Sequence, residues 1–415
     1  MHGPNLAAMA WRNLWRNRRR TLITVASIAL GGCVAVLFTA MQDRSFADFI
    51  DTAARLGGGH VTIQHPEYQD TPTVSRSVTG TDTLRQVALS DPRVKRALVR
   101  INAQTMVSSA DDSTGAFLLA FDPGVEDSET LSLLDGLVAG EAFRSPDDPG
   151  VILGSKLAER LRVGLGNKVV YTLTDKRGEL VSGMGRVQGL VRVGSPSVDG
   201  ALLLLPLNTA RKILGYAPDE ATRLAVFVAD PRSSAAVAQS LAGKVGPGAA
   251  AFTWEQIRPE LSAFIAMKIG GGRFMELLIL VLVAAGIFNT LLVSVLERSR
   301  EFGIMRAIGF ARGQLFRLVM WESLWLGLVG LTAGAALTIG PYFYLVQAGV
   351  DLSGMMGDGA ADVGGVGFDP HIRVGIFPEN LAAIAVNILG ATLLTGLYPA
   401  RRAGQLEPVE AIRLG

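Results

Sequence analysis

The chain has 415 residues, 49% of them apolar, and its 39 basic and 37 acidic side chains leave a formal net charge of +2. Taken alone, that balance offers no basic excess for nucleic acid and would suit a soluble enzyme. A single cysteine excludes an intrachain disulfide. The distribution of the apolar residues points elsewhere, because they are segregated into four blocks.

Residues 1–20 are a basic, amphipathic start with Arg12, Arg16, Arg18, Arg19 and Arg20. The charge-free run 21–41 is long enough to cross a bilayer, which predicts a first transmembrane helix at 21–42. L-G-G-C at 30–33 looks like a lipoprotein-processing site, but the run continues beyond Cys33, where a signal peptide would have ended. A retained span is therefore expected, with Cys33 packed inside it. Helical spacing over 43–56 extends this helix outward until Gly57, Gly58 and Gly59 break it.

Residues 43–272 read as an α+β domain. Strands are predicted at 60–64, 99–106, 116–121, 168–173, 186–193, 201–205, 223–229 and 249–253. Helices are predicted at 83–89, at 155–161 with Ser155 as N-cap, at 208–214 with Asn208 as N-cap, and at 233–243. A last helix over 254–268 leads back to the membrane. Both ends of the domain join membrane helices, so motion of the spans is expected to move it.

The charge-free runs 277–296, 323–350 and 381–400 predict further spans at 273–296, 315–347 and 379–400. Arg298, Arg300, Arg306, Arg312 and Arg317 assign the segment 297–314 to the cytoplasm. The basic start and Arg401, Arg402 and Arg413 place both termini there too. Asp351, Asp358, Asp362 and Asp369 against Arg373 put the 348–378 loop outside, and the 43–272 domain with it.

Residues for catalysis are missing. No phosphate loop G-x-x-x-x-G-K-S/T occurs, and L-S-G-M-M-G at 352–357 falls in an outside loop. G-M-G-R-V-Q at 183–188 misses the dinucleotide pattern. His2, His60, His65 and His371 are too scattered for a metal site, and His60 is expected to be solvated at a strand edge. The pairs Asp111-Asp112 and Asp147-Asp148 fall in turn-like sequence. Nor does an ionisable group lie mid-membrane, where each would cost about 2.5–3.5 kcal/mol; Glu276 and Glu322 are expected at water-accessible span ends. The chain is read as a non-enzyme whose work is driven from outside its spans.

Between spans two and three lies E-R-S-R-E-F-G-I-M-R-A-I-G at 297–309. Its charged-apolar alternation suits either a connector or a short helix that docks into a partner's groove. Small residues in the spans (Gly31, Gly32, Gly330, Gly334, Gly390) allow close helix approach or are ordinary span composition. Asn289 is a candidate interhelical amide. Four spans are few for enclosing a substrate path, which predicts a dimer of such subunits.

Three further strings complete the pattern: W-R-N-L-W-R-N-R-R-R-T at 11–21, V-I-L-G-S-K-L-A-E-R-L-R-V-G-L-G-N-K-V at 151–169 and L-Y-P-A-R-R-A-G-Q-L-E-P-V-E-A-I-R at 397–413. With the 297–309 segment they resemble the FtsX/MacB-type ABC transporter permease family. The length and G-H-V-T-I-Q-H-P-E-Y at 59–68 look most like its lipoprotein-releasing LolC/LolE subunits.

That resemblance implies a mechanotransmission-type permease with four transmembrane helices and a MacB-like periplasmic core of porter-like and sabre-like parts. It implies an ABC ATPase, with its ATP and magnesium, as a separate partner docking around Arg298, Glu301, Gly303, Arg306 and Gly309; no cofactor is expected in this chain. It further implies the bacterial inner membrane, a second permease subunit as homo- or heterodimer partner, contact with membrane lipids, lipoprotein cargo and a periplasmic carrier. The hook that LolC-type subunits use to recruit that carrier looks short here, at 174–185. Candidate cargo-facing residues are Phe38, Met41, Met267 and Phe274, with plain lipid-facing helix as the other reading. Two alternatives stay open: an FtsX-like regulator of a cell-wall hydrolase, and an exporter of another amphiphile such as a peptide or drug.

Overall fold

The chain opens with α1 (Leu6–Leu14) and α2 (Arg18–Ala53), then β1 (Val61–Gln64), α3 (Thr81–Leu89), β2 (Val94–Ser108) and β3 (Ser113–Phe121). It continues through β4 (Leu137–Gly140), β5 (Gly150–Gly154), α4 (Ser155–Arg160), β6 (Lys168–Thr174), β7 (Leu180–Val191), α5 (Pro196–Asp199) and β8 (Leu202–Pro206). Next come α6 (Leu207–Leu214), β9 (Arg223–Val228), α7 (Ser234–Ala242), β10 (Ala250–Thr253) and α8 (Trp254–Ile257). The long α9 (Pro259–Glu297), the short α10 (Ser299–Ala307), α11 (Arg312–Ala348) and α12 (Pro378–Gln405) complete it. This computed structural model describes residues 5–351, 362–363, 366–367 and 371–405. His2, Asp358, Asp369, Arg413, the string at 352–357 and the last part of the closing segment lie outside the described residues.

The described residues divide into two units. One falls within Met1–Ser45, Met267–Asp351 and His371–Gly415, the other within Phe46–Ala266 and Leu352–Pro370. Four helices are long and apolar enough to cross a membrane: Arg18–Gly58, Pro259–Glu297, Arg312–Ala348 and Pro378–Gln405.

In the second unit, β1, α3, β2, β9, α7 and β10 repeat a β-α-β pattern twice, with strand order β10-β1-β9-β2 and antiparallel neighbours. That is a ferredoxin-like layer, the porter-like part. Its two halves are separated in sequence by the sabre-like part, which is inserted between β2 and β9. The joint is β2 itself: Val94–Arg100 pairs with β9, while Ile101–Ser108 pairs with β3. Period-two alternation makes such a long strand serve two layers, since each half buries one face. Separate apolar cores result, around Val61, Leu224 and Leu241 in one part and around Leu153, Val169 and Leu203 in the other.

The glycines after α2 answer to backbone geometry. Gly57 adopts φ 143°, and Gly59 adopts φ 75° where a Cβ would stand 2.6 Å from the Val226 amide nitrogen. Both are positions that L side chains resist.

Several local expectations are corrected. Gly154 caps α4, so Ser155 is the first helical residue rather than the cap. Pro206 precedes α6, whose Asn208 instead donates its side-chain amide to Asp147 at 3.0 Å. The helix expected over 254–268 breaks at Arg258, whose backbone is non-helical (φ −130°, ψ 74°) because Pro259 follows it. Strand β7 starts six residues before the expected position 186, at Leu180, and β4 was missed; their glycines hide strands that cross-strand pairing stabilises. The 174–185 region is a hairpin, Thr174 pairing with Leu180. His60 is not solvated: its ring is buried, edge-on to Phe227 at 5.8 Å.

Asp91, 5% exposed, accepts from Arg93 at 2.9 and 2.6 Å and from the Ser240 hydroxyl at 2.6 Å. The Arg93 hydrogen bonds, helped by Ser240, outweigh burial and hold this carboxyl well below its ordinary range. A depressed folded pKa stabilises above the unfolded carboxylate's value, about 4, and the contribution fades as pH falls through the folded value. Asp91→Asn is therefore expected to lower the melting temperature at pH 7, with the gap to wild type narrowing below about pH 4. A pH series of melting curves checks this; a gap independent of pH contradicts it.

Candidate coupling site between spans two and three

The segment 299–307 is helical for local reasons. Glu301 in its first turn and Arg306 in its last complement the helix dipole, and Gly309 at φ 104° ends the turn that follows. This helix, α10, has two unlike faces. Phe302 and Gly303 are buried in a cluster with Ala10, Val295, Leu315, Leu318 and Ala403. On the other face Ile304 is 47% and Ile308 73% exposed, between exposed Arg300 and Arg312. Ile308 caps the helix and donates its backbone N–H to the Ile304 carbonyl at 3.0 Å, one turn back.

An ion-pair network fixes the inner face. Arg298 donates through Nη1 to both Glu322 oxygens at 2.9 and 3.0 Å and through Nε to Glu301 at 3.2 Å, and lies 5.1 Å from the Phe302 ring centroid. Asn13 donates to Glu322 at 2.8 Å. Arg16 pairs with Glu301 and Arg20 with Glu297. The amphipathic α1 joins in: Trp325 Nε1 donates to the Ala7 carbonyl at 3.2 Å, and the Trp11 ring stands edge-on to Trp325 at 5.2 Å. Asn13, Arg16, Arg20, Arg298, Glu301 and Glu322 are among the residues that line a cavity of ≈ 330 Å³.

Burial works against the Arg298 charge, but Glu322 and Glu301 outweigh it and hold its pKa above the usual value. Burial would likewise raise the Glu301 carboxyl, yet the hydrogen bonds from Arg16 and Arg298 keep it below its ordinary range. Both shifts favour the charged forms of Arg298 and Glu301. Through these bonds Glu301 on α10 is tied to Arg16, between α1 and α2, and by way of Arg298 to Glu322 on α11.

The residues singled out from sequence therefore divide. Arg298 and Glu301 bind α10 to its own chain, and Gly303 is buried beneath it. Arg306 is half-buried, with a buried Nε that has no hydrogen-bond partner among the described residues, and Gly309 is an exposed turn. Sequence reasoning missed Ile304 and Ile308, which their four-residue spacing could have marked. It also placed Glu322 at a wet span end, whereas that residue is 7% exposed, with Arg298 pairing its charge and Asn13 donating a hydrogen bond to it.

Elsewhere in this unit, Gly330 and Gly334 let α11 approach α2 closely; a Cβ on Gly330 would meet Ile28 at 2.6 Å and one on Gly334 would meet Ala29 at 3.2 Å. Gly390 has open space around it, and Asn289 is exposed without a hydrogen-bond partner among the described residues. Phe38 and Met41 are half-buried on α2, while Met267 and Phe274 are exposed on α9. None of these four borders the apolar cavity of ≈ 560 Å³ lined by α2, α11 and α12, whose walls include Ile28, Val36, Thr338, Tyr342 and Ile384.

A four-span helical unit with a short two-faced helix between spans two and three, joined to a ferredoxin-like domain with a large insertion, defines a membrane permease. Residues 273–408 match the FtsX-like permease C-terminal family, and residues 21–244 match the MacB-like periplasmic core domain. The chain belongs to the FtsX/MacB-type ABC transporter permease family. It is similar to the lipoprotein-releasing system transmembrane protein LolC of Neisseria meningitidis serogroup B, at 23% identity over 95% of this chain and 94% of the relative. The pyoverdine export ATP-binding/permease protein PvdT of Pseudomonas putida is 25% identical over 97% of this chain, which spans 58% of that relative. Among solved structures, the periplasmic region of MacB from Actinobacillus actinomycetemcomitans matches 51% of this chain and 95% of its own, at 13% identity and a TM-score of 0.35.

Proposed function

We propose that this chain is the permease subunit of a mechanotransmission-type ABC transporter of the bacterial inner membrane, moving lipoproteins from the outer leaflet with energy from a separate ATPase. The termini and α10 face the cytoplasm, following the arginine-rich flanks of the spans. The ATPase docks on the Ile304–Ile308 face of α10, and a second permease subunit completes the path.

The observation that carries the cargo reading is the apolar cavity of ≈ 560 Å³ within the spans. A regulator that only relays a signal has no use for one, whereas an acyl chain moving between apolar surfaces needs it. Each methylene exposed to water costs about 0.8 kcal/mol, so a multiply acylated cargo has to pass from one apolar surface to the next. Lipoprotein is favoured over other amphiphiles because the relatives named for lipoprotein release are matched over nearly their whole length. The full-chain similarity to a pyoverdine exporter supports a second reading, export of another amphiphile.

The experiment is purification of the tagged protein from its native membranes without ATP, with identification of what stays bound. An ATPase, a second permease and acylated lipoproteins are expected together. An ATPase with a cell-wall hydrolase and no lipoprotein overturns the cargo reading, and absence of any ATPase overturns the docking one.

A further inference from the structure

The MacB-like domain holds a cavity of ≈ 470 Å³ that no step above uses. Its apolar wall includes Leu119, Leu202 and Ile257, and Arg223 and Arg258 are among the residues that line it. Among the described residues on the lining, Glu260 is the one acidic side chain beside the two arginines.

Its polar groups are unusually under-used. Arg223 makes no ion pair among the described residues; it lies 5.3 Å from the Tyr68 ring centroid, and its buried Nε has no hydrogen-bond partner. Asn102 lines the same space at 7% exposure, and its side-chain oxygen is also unpartnered. Gln64, opposite Arg223 in the sheet, is fully buried with both amide atoms unpaired. Native interiors satisfy nearly all such groups, so the unpaired Arg223 and Asn102 atoms beside one cavity, with Gln64 behind them, mark a place for a ligand. Burial first, and then the neighbouring Arg223 charge, depress the Arg258 pKa, with Glu260 opposing; an anion between the two cations would relieve that repulsion.

We infer that this cavity binds an acidic amphiphile, its phosphate or carboxylate between Arg223 and Arg258 and its apolar stem along Leu119, Leu202 and Ile257. Guanidinium forks fit such anions in bidentate fashion. The Asn102 oxygen accepts from a hydroxyl or amide on the same ligand. The site stands on the domain's own residues, whatever cargo the spans carry.

The test is photolabelling of the full-length protein in neutral detergent with a diazirine-tagged alkyl phosphate, followed by mapping of the labelled peptides. Labelling of the peptides around 102, 223 and 258 is expected, and a glucoside with the same chain should label them at least about tenfold less, the discrimination expected of charged hydrogen bonds. Arg223→Gln and Arg258→Gln should each reduce labelling about tenfold, and Arg223→Lys by less, since it retains the charge but loses the fork. Asn102→Asp, nearly isosteric, should also suppress labelling by repulsion, which covers the case where an arginine variant fails to fold. Equal labelling by the glucoside, or labelling unchanged in the folded variants, overturns the site. Competition by inorganic phosphate as strong as by the untagged alkyl phosphate would assign it to a free anion and overturn the amphiphile.

Discussion

Replacing Ile308 by aspartate is expected to release the ATPase partner while leaving the permease folded. The side chain is 73% exposed, so its removal costs this chain little; exposed substitutions usually stay within about 0.5 kcal/mol. An apolar anchor at the centre of a docked interface is worth about 2–4 kcal/mol, or roughly 30- to 800-fold in affinity. Ile304→Asp should act in the same direction, more weakly, because Ile304 is less exposed. Phe302→Ala provides the contrast: it empties a fully buried position and should lower stability by about 3–5 kcal/mol. ATPase retained on the purified permease and ATP hydrolysis stimulated by it are the two readouts. Full retention by Ile308→Asp at wild-type expression would mean that the ATPase docks elsewhere.

Loss of Glu126 should be the most damaging single change in the MacB-like domain. Arg100 is fully buried and donates to Glu126 at 2.7 and 2.8 Å and to the Thr130 carbonyl at 2.8 Å, while the Thr130 hydroxyl donates to Glu126 at 2.6 Å. The Arg100 guanidinium also lies 5.5 Å from the Phe227 ring centroid. Glu126→Ala leaves that cation buried and uncompensated, at a cost of about 3–5 kcal/mol. For a domain of this size the apparent Tm should fall by about 6–20 °C. The paired replacement Arg100→Met with Glu126→Leu removes both charges and should regain most of the loss, because a buried pair adds little net stability over apolar residues of similar volume. A single-variant loss below about 1 kcal/mol would show that water reaches Arg100 once Glu126 is gone. Thermal unfolding of the full-length variants in detergent separates these outcomes.

The sequence by itself determined the four long apolar helices, most strands of the MacB-like domain and the charged-apolar alternation between spans two and three. Those features are local: a bilayer demands about 20 apolar residues per helix, and period-two alternation marks a half-buried strand. Tertiary structure alone decided which face of each element is covered. Glu322 looked like a wet span end until Arg298 and Asn13, 24 and 309 positions away, were seen to close on it. Arg298 and Glu301 looked like free docking charges, but both form ion pairs within the chain, and the exposed apolar side chains beside them are Ile304 and Ile308. His60 looked solvated at the edge of a strand predicted at 60–64, and Phe227 covers it from a strand more than 160 positions later. The orphaned Asn102, Gln64 and Arg223 are likewise visible only once β1, β2 and β9 lie side by side. Charge patterning shows that a polar group is present, but its free energy depends on the partner that packs against it, and that partner is set by chain topology.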